Sequence, residues 1–431
     1  MGVRQATRVG TTFVSMRNRN YRLYFVGQLA SQAGNWMQTV AQSFLVLELT
    51  DSSTQLGLTV AARYLPIFLI GPWGGLAADR FDKRAILTAT QSAASILALI
   101  FALLVVTHST PLWAIYLLAT ALGLLNVVDV PARQSFISEL VPPGELGNAV
   151  TLNSITINAA RLFGAALGGL VASVLGLAVC FGLNSVSYLV VLVTLLWMDR
   201  SQITVSRRAP RERGQIRSGF RYVRETQELL VPLIMVAAVG ALAWEFQVTL
   251  PLVAKETFGG GAGLYGTMMA VMSAGAVVGG LVTASRPTGR ARSLAVAAVG
   301  WGIALTAAAL APNLAVEFVA LLFVGYGSIT FNALGRTALQ LGARADMRGR
   351  VMALWMTAWA GTTPIGGPVV GWIGEVAGAR FSLLAGGVPT IAVGLLCYPA
   401  LTRIDARRHG SIDSDRHPRL NLSLRRRSEE E

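Results

Sequence analysis

Long uncharged apolar runs constrain this chain more than any other feature of its sequence. Ala85–Val106, Gly176–Met198 and Ser382–Ala400 carry no charged residue, and a helix of about 20 such residues crosses the roughly 30 Å of hydrocarbon in a bilayer. Only 13% of the 431 residues are charged, against about 25% in soluble domains. This amount of charge is too small to cover a surface that faces water on all sides. The sequence therefore predicts an all-α polytopic membrane protein.

The apolar segments divide the chain into two halves around its longest internal polar segment. The twelve predicted spans are roughly 23–47, 54–78, 85–106, 110–130, 148–174, 176–198, 229–253, 263–285, 293–311, 315–335, 350–376 and 381–401. The predicted domains are an N-terminal segment (1–21), a six-helix bundle (22–198), a linker (199–228), a second six-helix bundle (229–402) and a disordered tail (403–431).

Positive charge falls almost entirely on one set of the gaps between spans. The other set receives only Lys255 and Arg380. Lys and Arg in short loops mark the cytoplasmic side, so we expect both termini there, in a multi-pass protein of a bacterial cytoplasmic (inner) membrane. The net charge of +14 is therefore a topology signal, and no basic–aromatic module points to nucleic acid.

The two halves also resemble each other in sequence. An offset of 203 residues maps Asp129 onto Asn332, Arg133 onto Arg336 and Gly164 onto Gly367. Matching spans run in the same direction, which indicates a parallel repeat. Two parallel six-helix halves are the architecture of one large class of transporters.

The stretch GGLAADRFDKR concentrates five charges in the short gap between spans two and three. It resembles the cytoplasmic loop signature of the major facilitator superfamily. The matching residues are Gly75, Asp79, Arg80, Lys83 and Arg84, while Asp82 stands where that pattern usually has glycine. The basic residues of this cluster are also expected to anchor the turn against anionic headgroups of the bilayer.

Three further segments resemble a narrower branch of that superfamily. GNWMQTVAQSFLVLELT (34–50), DVPARQSFISELVPPGELGNAVTLNS (129–154) and RGRVMALWMTAWAGTTPIGGPVVG (348–371) are similar to the transmembrane secretion effector group. That group includes enterobactin-type siderophore exporters and relatives of macrolide efflux pumps. The resemblance implies the major facilitator fold and proton-driven export by alternating access.

The same resemblance implies a latch on the cytoplasmic side. In the family the loop aspartate helps hold the two halves together, so Asp79 is expected to pair with Arg133 or to meet the helix that begins near Arg350. Arg336 is the second-half counterpart of Arg133, and Ala284 replaces the aspartate there. The glycines of span five resemble the family's antiporter motif, but Ala165 stands where proline is usual.

Span one carries a polar stripe whose members recur every three or four residues. They are Gln28, Gln32, Asn35, Gln38, Thr39 and Gln42. A polar stripe inside a bilayer faces other helices or a water-filled cavity, and a stripe this long favours a cavity over interhelical hydrogen bonds alone. We therefore predict that these residues line a substrate cavity.

Two arginines lie inside predicted spans. Arg63 is in span two, and Arg161 shares a face of span five with Ser154 and Asn158. An arginine in hydrocarbon needs a partner or water. Each either binds an anionic or catecholate-like substrate or acts as a structural counter-ion, and the sequence favours neither role. We assign Arg63, Asn158, Arg161 and Trp244 to the cavity.

Two acids are candidates for proton coupling. Glu245 lies in an apolar run of span seven, where a carboxyl group can load and release a proton. Its alternative role is to pair with Arg63 or Arg161. Asp129 ends predicted span four one turn before Arg133, which indicates a local ion pair or a gate contact. We predict Glu245 as the coupling residue and Asp129 as the gate.

No Walker A pattern, catalytic triad or metal-ligand cluster occurs in the sequence, so we expect neither an enzyme nor a cofactor, with the proton gradient as energy source. The predicted function is export of a small amphipathic molecule, either a siderophore or a hydrophobic drug, by a monomer. A non-transporting scaffold or assembly factor with this fold, or an importer, are the alternatives. The intramembrane charges argue against the scaffold, and the family resemblance argues against the importer.

Overall fold

The computed structural model of the chain describes residues 13–204, 215–285, 290–344 and 347–416, and helices dominate these ranges. The first half contains α1 (Arg19–Thr50), α2 (Ser53–Arg80), α3 (Lys83–Val106), α4 (Leu112–Leu140), α5 (Leu146–Leu175) and α6 (Leu177–Leu196). The second half contains α7 (Gln215–Glu225), α8 (Gln227–Ala243), α9 (Phe246–Leu252), α10 (Ala262–Ser285), α11 (Arg292–Ala309), α12 (Leu314–Gly342), α13 (Arg348–Ala360), α14 (Thr363–Ala377) and α15 (Ala379–Arg416).

Within those ranges the helices pass twelve times between two faces of the molecule. Ten segments are long and apolar enough to cross a bilayer by themselves. The other two passes are α1, which carries the polar stripe, and the pair α13–α14, which is interrupted at Gly361 and Thr362. Because the number of passes is even, both described chain ends lie on one face, here called the terminal face. The short turns that join α1 to α2 and α3 to α4 lie on the opposite face.

Two glycines show the repeat in the backbone. Gly176 alone joins α5 to α6, and Gly378 alone joins α14 to α15. Their φ angles are +91° and +105°, a region that side chains with a Cβ rarely adopt. The same sharp turn therefore recurs at equivalent places in the two halves, and the predicted parallel repeat is confirmed.

The seventh pass is not a continuous helix. It is interrupted at Trp244 and Glu245, and its last turn, Val253–Thr257, is a π-helix. Pro251 has no amide hydrogen to donate to the carbonyl of Gln247, one helical turn earlier. That carbonyl accepts a hydrogen bond from Ser43 Oγ of α1 at 3.3 Å, so the neighbouring half of the molecule satisfies it.

The two halves meet along two helix pairs, α2 with α14 and α5 with α10. A Cβ atom at Gly57 would collide with the carbonyl of Gly367, and one at Gly266 would collide with the carbonyl of Ala165. Glycine lets helix backbones approach this closely inside a membrane. Both contacts lie toward the opposite face, which is therefore the side on which these helix pairs bring the halves together.

Polar contacts reinforce that closure at the opposite face. Lys255 Nζ lies 2.6 Å from Asp51 Oδ1. Glu375 Oε2 accepts hydrogen bonds from the hydroxyl of Ser52 at 2.6 Å and from the amide of Thr54 at 2.9 Å. Each of these contacts joins one half to the other. Together with the glycine contacts, they hold the two halves together at the opposite face.

The glycines of α5 pack closely although the proline of the family motif is absent. Gly164 and Gly168 lie directly against Ala33 and Met37 of α1. The predicted close packing is confirmed, and α5 remains a continuous helix in the presence of Ala165.

Several helices extend beyond their predicted ends, and the extensions of α4 and α15 change a prediction. α4 continues to Leu140, so Asp129 lies inside the helix rather than at the end of it. Pro131 frees the carbonyl of Val127, and that carbonyl approaches Gly74 of α2, where no side chain obstructs it. α15 continues to Arg416, so residues 403–416 are helical rather than disordered, while 417–431 lie outside the described ranges.

Candidate functional site

A polar chamber lies within the first half of the molecule. Its volume is about 170 Å³. Residues from α1, α2, α3, α4 and α6 line it, and they include Gln32, Asn35, Trp36, Thr39, Arg63, Tyr64, Thr90, Gln91, Asn126, Asp129, Arg133 and Tyr188. Gln247 of α9 is the contribution from the second half.

Asp129 is the acid of the polar chamber, and donors surround it. Its Oδ1 accepts hydrogen bonds from the hydroxyl of Thr90 at 2.8 Å and from the amide of Gln91 at 2.9 Å. Its Oδ2 lies 3.6 Å from Arg133 Nη2, so the predicted ion pair within one helical turn is confirmed. Arg133 Nη1 also donates to Gln28 Oε1 at 3.3 Å. This network ties α4 to α3 and α1.

A second, aromatic chamber lies between the two halves. Its volume is about 360 Å³. The described lining residues that bear on recognition are Trp36, Tyr64, Asn158, Arg161, Trp244, Glu245, Met269, Met272, Asn332, Trp355, Trp359 and Thr363. Trp36, Tyr64 and Gln247 line both chambers, and Gln247 Nε2 donates to the Tyr64 hydroxyl at 3.2 Å. The hydrogen-bonded Tyr64 and Gln247, one from each half, therefore form a wall between the two chambers.

The tryptophans of the aromatic chamber touch one another. The rings of Trp355 and Trp359 are stacked, with centroids 5.9 Å apart and planes 2° apart. Trp244 meets Trp359 edge-on at 6.2 Å and lies 5.0 Å from Trp301. A surface of this kind suits a cargo with flat apolar rings.

Glu245 is the acid of the aromatic chamber, and its surroundings differ from those of Asp129. Its exposed fraction is 2%, and its carboxyl group lies against the backbone of Gly366 and Gly367 in α14. Thr363 lines the chamber with it, while Oε1 has no hydrogen-bond partner. No cationic group of the described residues lies within 4.0 Å of it. The alternative in which Glu245 pairs with Arg63 or Arg161 is therefore not what this structure contains.

The two intramembrane arginines separate into the two chambers. Arg161 lies over the ring of Trp36, 6.0 Å from its centroid, and its Nη2 lies 3.5 Å from Asn158 Oδ1. Its Nε is buried without a partner. Arg63 lines the polar chamber. Among the described residues, neither guanidinium has a carboxylate within 4.0 Å.

The polar stripe of α1 divides among three environments. Gln32 and Asn35 line the polar chamber, and Gln28 binds Arg133 beside it. Gln38 is 1% exposed and accepts a hydrogen bond from Asn184 of α6 at 2.5 Å. Gln42 borders a void of only about 10 Å³. Gln38 and Gln42 line neither of the two chambers, because α6 covers the one and the gap beside the other is small.

The loop signature places its residues at several sites. Lys83 pairs with Glu139 of α4 at 2.5 Å, and Arg84 Nη2 donates to the carbonyl of Leu196 at 3.3 Å. Asp82 caps α3. Arg80 is exposed on the terminal face. The glycine that α4 approaches is Gly74, whereas the space beside Gly75 is open.

The proposed latch partners make other contacts. The side chain of Asp79 lies outside the described part of the structure, so its pairing stays a prediction. Arg133 contacts Asp129 and Gln28 as described above. Arg350 Nη1 donates to Ser218 Oγ of α7 at 2.9 Å, and the guanidinium of Arg336 lies 5.8 Å from the ring centroid of Trp355.

Sequence reasoning missed most of the aromatic lining. Trp36, Trp355 and Trp359 lie well inside passes, whereas tryptophan in membrane proteins concentrates at the two interfaces. That position, together with the spacing of four between Trp355 and Trp359, is the signal that could have found them. The sequence also contained a signal for the contact of Lys255 with Asp51. Lys255 is one of only two basic residues in the gaps of the opposite face.

Two six-pass halves, with one chamber inside the first half and another between the halves, have the major facilitator fold. Solved structures agree on the fold. A bacterial homologue of the human lysosomal transporter Spinster, in an inward-facing and unoccupied conformation, gives a TM-score of 0.69 at 15% identity over 92% of this chain and 99% of that chain. The nucleoside transporter NupG gives 0.73 at 14% identity over 89% of this chain and 100% of that chain.

The chain belongs to the transmembrane secretion effector family, whose model matches residues 10–429. Similar proteins include the staphyloferrin A transporter of Staphylococcus aureus, 23% identical over 88% of this chain and 95% of that protein. The enterobactin exporter EntS of Salmonella paratyphi A is 25% identical over 92% of this chain and 95% of that protein. The predicted family branch is confirmed, and the chain is a multi-pass membrane transporter of a small molecule rather than an enzyme.

Proposed function

We propose that this chain exports a small amphipathic molecule, with a siderophore as first candidate, in exchange for protons by alternating access. The distribution of Lys and Arg supports a cytoplasmic terminal face, and the protein works as a monomer without a cofactor. The observation that carries the proposal is the aromatic chamber, where Arg161 and Glu245 lie among tryptophans from both halves.

The two charged groups of the chamber indicate the chemistry of the cargo. Arg161 has no carboxylate partner among the described residues, so an anionic or strongly accepting group of the cargo supplies the missing interaction. The tryptophans contact flat rings by stacking or edge-on. An aromatic molecule with ionised or hydroxyl substituents meets both requirements, which favours a siderophore over a purely hydrophobic drug.

Exchange requires that the cargo and a proton compete for one group. Glu245 Oε1 has no hydrogen-bond partner, so it can accept either an O–H or N–H of the cargo or a proton. A proton taken from the opposite face displaces the cargo donor, and release of that proton on the terminal face restores the acceptor. This competition is the physical basis of antiport in the proposal.

The experiment is transport into inside-out vesicles that contain the purified full chain. An acidic interior is imposed, and accumulation is followed for catecholate and carboxylate siderophores and for a hydrophobic cationic dye. Empty vesicles and addition of a protonophore are the controls. We expect gradient-driven accumulation of a siderophore that the protonophore abolishes.

The other outcomes separate the alternatives. Accumulation of the cationic dye alone makes the cargo a hydrophobic drug. Movement only in the opposite direction makes the chain an importer. No movement of any compound, by protein that circular dichroism shows to be helical, favours the scaffold.

A further inference from the structure

A crevice on the terminal face lies apart from both chambers. The turn between α2 and α3, the first part of α3, and the ends of α4 and α6 surround it, and its volume is about 700 Å³. Its charged lining residues are Arg80, Asp82, Lys83, Arg84, Glu139 and Arg200. Cations outnumber acids in this set, so the crevice attracts anions.

Both acids are already occupied. Glu139 lies 2.5 Å from Lys83 Nζ, and both side chains are buried. Asp82 Oδ1 accepts hydrogen bonds from the amides of Arg84 at 2.8 Å and Ala85 at 3.3 Å, which caps α3. The hydrogen bonds of Asp82 thus hold its carboxylate at the start of α3, and that of Glu139 lies against Lys83.

Asp199, which precedes Arg200, also binds its own turn. Its carboxylate accepts hydrogen bonds from the hydroxyl and amide of Ser201, and these hold the pKa of Asp199 below its usual range. Gln202 Nε2 donates to the other oxygen at 3.0 Å. The carboxylate thus remains with its own turn at the edge of the crevice.

Arg84 is a second buried cation of the crevice, beside the paired Lys83. Its exposed fraction is 8%. Nη2 donates to the carbonyl of Leu196 at 3.3 Å, whereas Nη1 is buried without a hydrogen-bond partner. Arg84 lines the crevice and keeps one donor that the protein does not use, and a phosphate oxygen can accept a charge-assisted hydrogen bond from it.

The crevice continues along α3 away from its charged end. Ala85, Ala89 and Ser92 follow at spacings of four and three, so they share one helical face. Phe81 and Leu196, both 65% exposed, stand at the rim. We propose that the crevice binds an anionic phospholipid, with its phosphate at Arg84 and one acyl chain along Ala85 and Ala89. The basic residues of the turn thus build a specific lipid site, beyond a general attraction to headgroups.

The test is lipid retention by the purified full-length protein, measured by native mass spectrometry. Phosphatidylglycerol is compared with phosphatidylcholine, and inorganic phosphate is added as a soluble competitor. The variants are Arg84→Gln, Ala89→Phe, which fills the chain groove and leaves the guanidinium intact, and Arg22→Gln, an exposed cation elsewhere on the terminal face.

We expect the wild type and Arg22→Gln to retain phosphatidylglycerol roughly tenfold better than phosphatidylcholine, and both Arg84→Gln and Ala89→Phe to lose that preference. Equal retention of the two lipids, or equal losses in Arg22→Gln, reduces the effect to general surface attraction and overturns the site. Displacement by millimolar inorganic phosphate makes it a soluble-anion site and overturns the lipid. If Arg84→Gln fails to fold, Ala89→Phe still decides the outcome, and no arm depends on transport.

Discussion

The two interior chambers hold one acid each, and the acids differ in how completely the protein satisfies them. Asp129 has two hydrogen-bond donors on one oxygen and a guanidinium beside the other. Glu245 has an oxygen without any partner. Apart from Gln247, the polar chamber is built by the first half alone, whereas residues of both halves line the aromatic chamber.

Under the proposed function, this difference distinguishes a structural site from the site of exchange. A network that one half completes by itself keeps its geometry when the halves move against each other. A chamber between halves must change shape in that motion, as in other transporters with sites at the repeat interface. We therefore expect Glu245, the acid left incomplete in that chamber, to be the one that exchanges partners in the proposed transport cycle.

The largest effect is expected from Glu245→Gln. The amide keeps the shape and can still accept a cargo hydrogen bond, but it cannot carry a proton at neutral pH. Accumulation driven by a pH gradient should fall to the level of empty vesicles, while passive exchange of cargo across the same vesicles persists. Both are measured with the siderophore found in the vesicle assay.

The matched control is Glu48→Gln, which makes the same chemical change at an exposed position near the end of α1. It should accumulate cargo as the wild type does. If Glu245→Gln keeps gradient-driven accumulation and Asp129→Asn loses it, the roles of the two chambers are reversed.

Asp129→Asn should have the larger effect on stability. The substitution removes the counter-charge of Arg133 and replaces one acceptor by a donor in a buried network. We expect the free energy of unfolding to fall by about 2–3 kcal/mol, measured by denaturant titration in detergent micelles. Glu245→Gln should change it by less than about 1 kcal/mol, since no ion pair is lost. Equal losses in the two variants would mean that Glu245 is as much a structural group as Asp129.

The sequence was sufficient to predict the passes, the parallel repeat and the Asp129–Arg133 pair, because these follow from local spacing. A run of apolar residues sets a pass, and a separation of four residues places two side chains on one helical face. The partner of the carbonyl freed by Pro251 was beyond such reasoning, because that carbonyl belongs to Gln247 and accepts from Ser43, 204 positions away in the chain.

Spacing also predicts a face of a helix without naming its neighbour. The polar stripe of α1 is present, but Asn184 of α6 lies over Gln38, and only the packed structure shows this contact.

The glycine of the loop signature is a similar case. Gly74 rather than Gly75 faces α4, because the phase of α2 is set by its packing along its whole length. The tryptophans of the aromatic chamber come from separate passes, so no single window of sequence contains them.

Arg161→Gln should weaken cargo binding and leave coupling in place. It removes the cation of the aromatic chamber while Glu245 remains. We expect the Kd of an anionic cargo to rise roughly tenfold, as for loss of one charge-assisted hydrogen bond, and that of a neutral ester of the same cargo to change little. Fluorescence quenching of the chamber tryptophans measures both. Arg63→Gln, the matching change in the polar chamber, should have less effect. A larger effect from Arg63→Gln would move the anionic group of the cargo into the polar chamber.

Trp359→Leu should give the smallest change, and it tests directly what the tryptophans of the aromatic chamber contribute to binding. Leucine keeps the site apolar but removes a ring that stacks on Trp355 and meets Trp244. Aromatic pairs contribute about 0.5–1.5 kcal/mol beyond their buried area, so binding of an aromatic cargo should weaken about threefold to tenfold. Trp113→Leu is the control, since Trp113 is 67% exposed at the start of α4 and should leave Kd unchanged. If an aliphatic cargo of equal size loses as much affinity as the aromatic one, the tryptophans of the aromatic chamber select for volume rather than for rings.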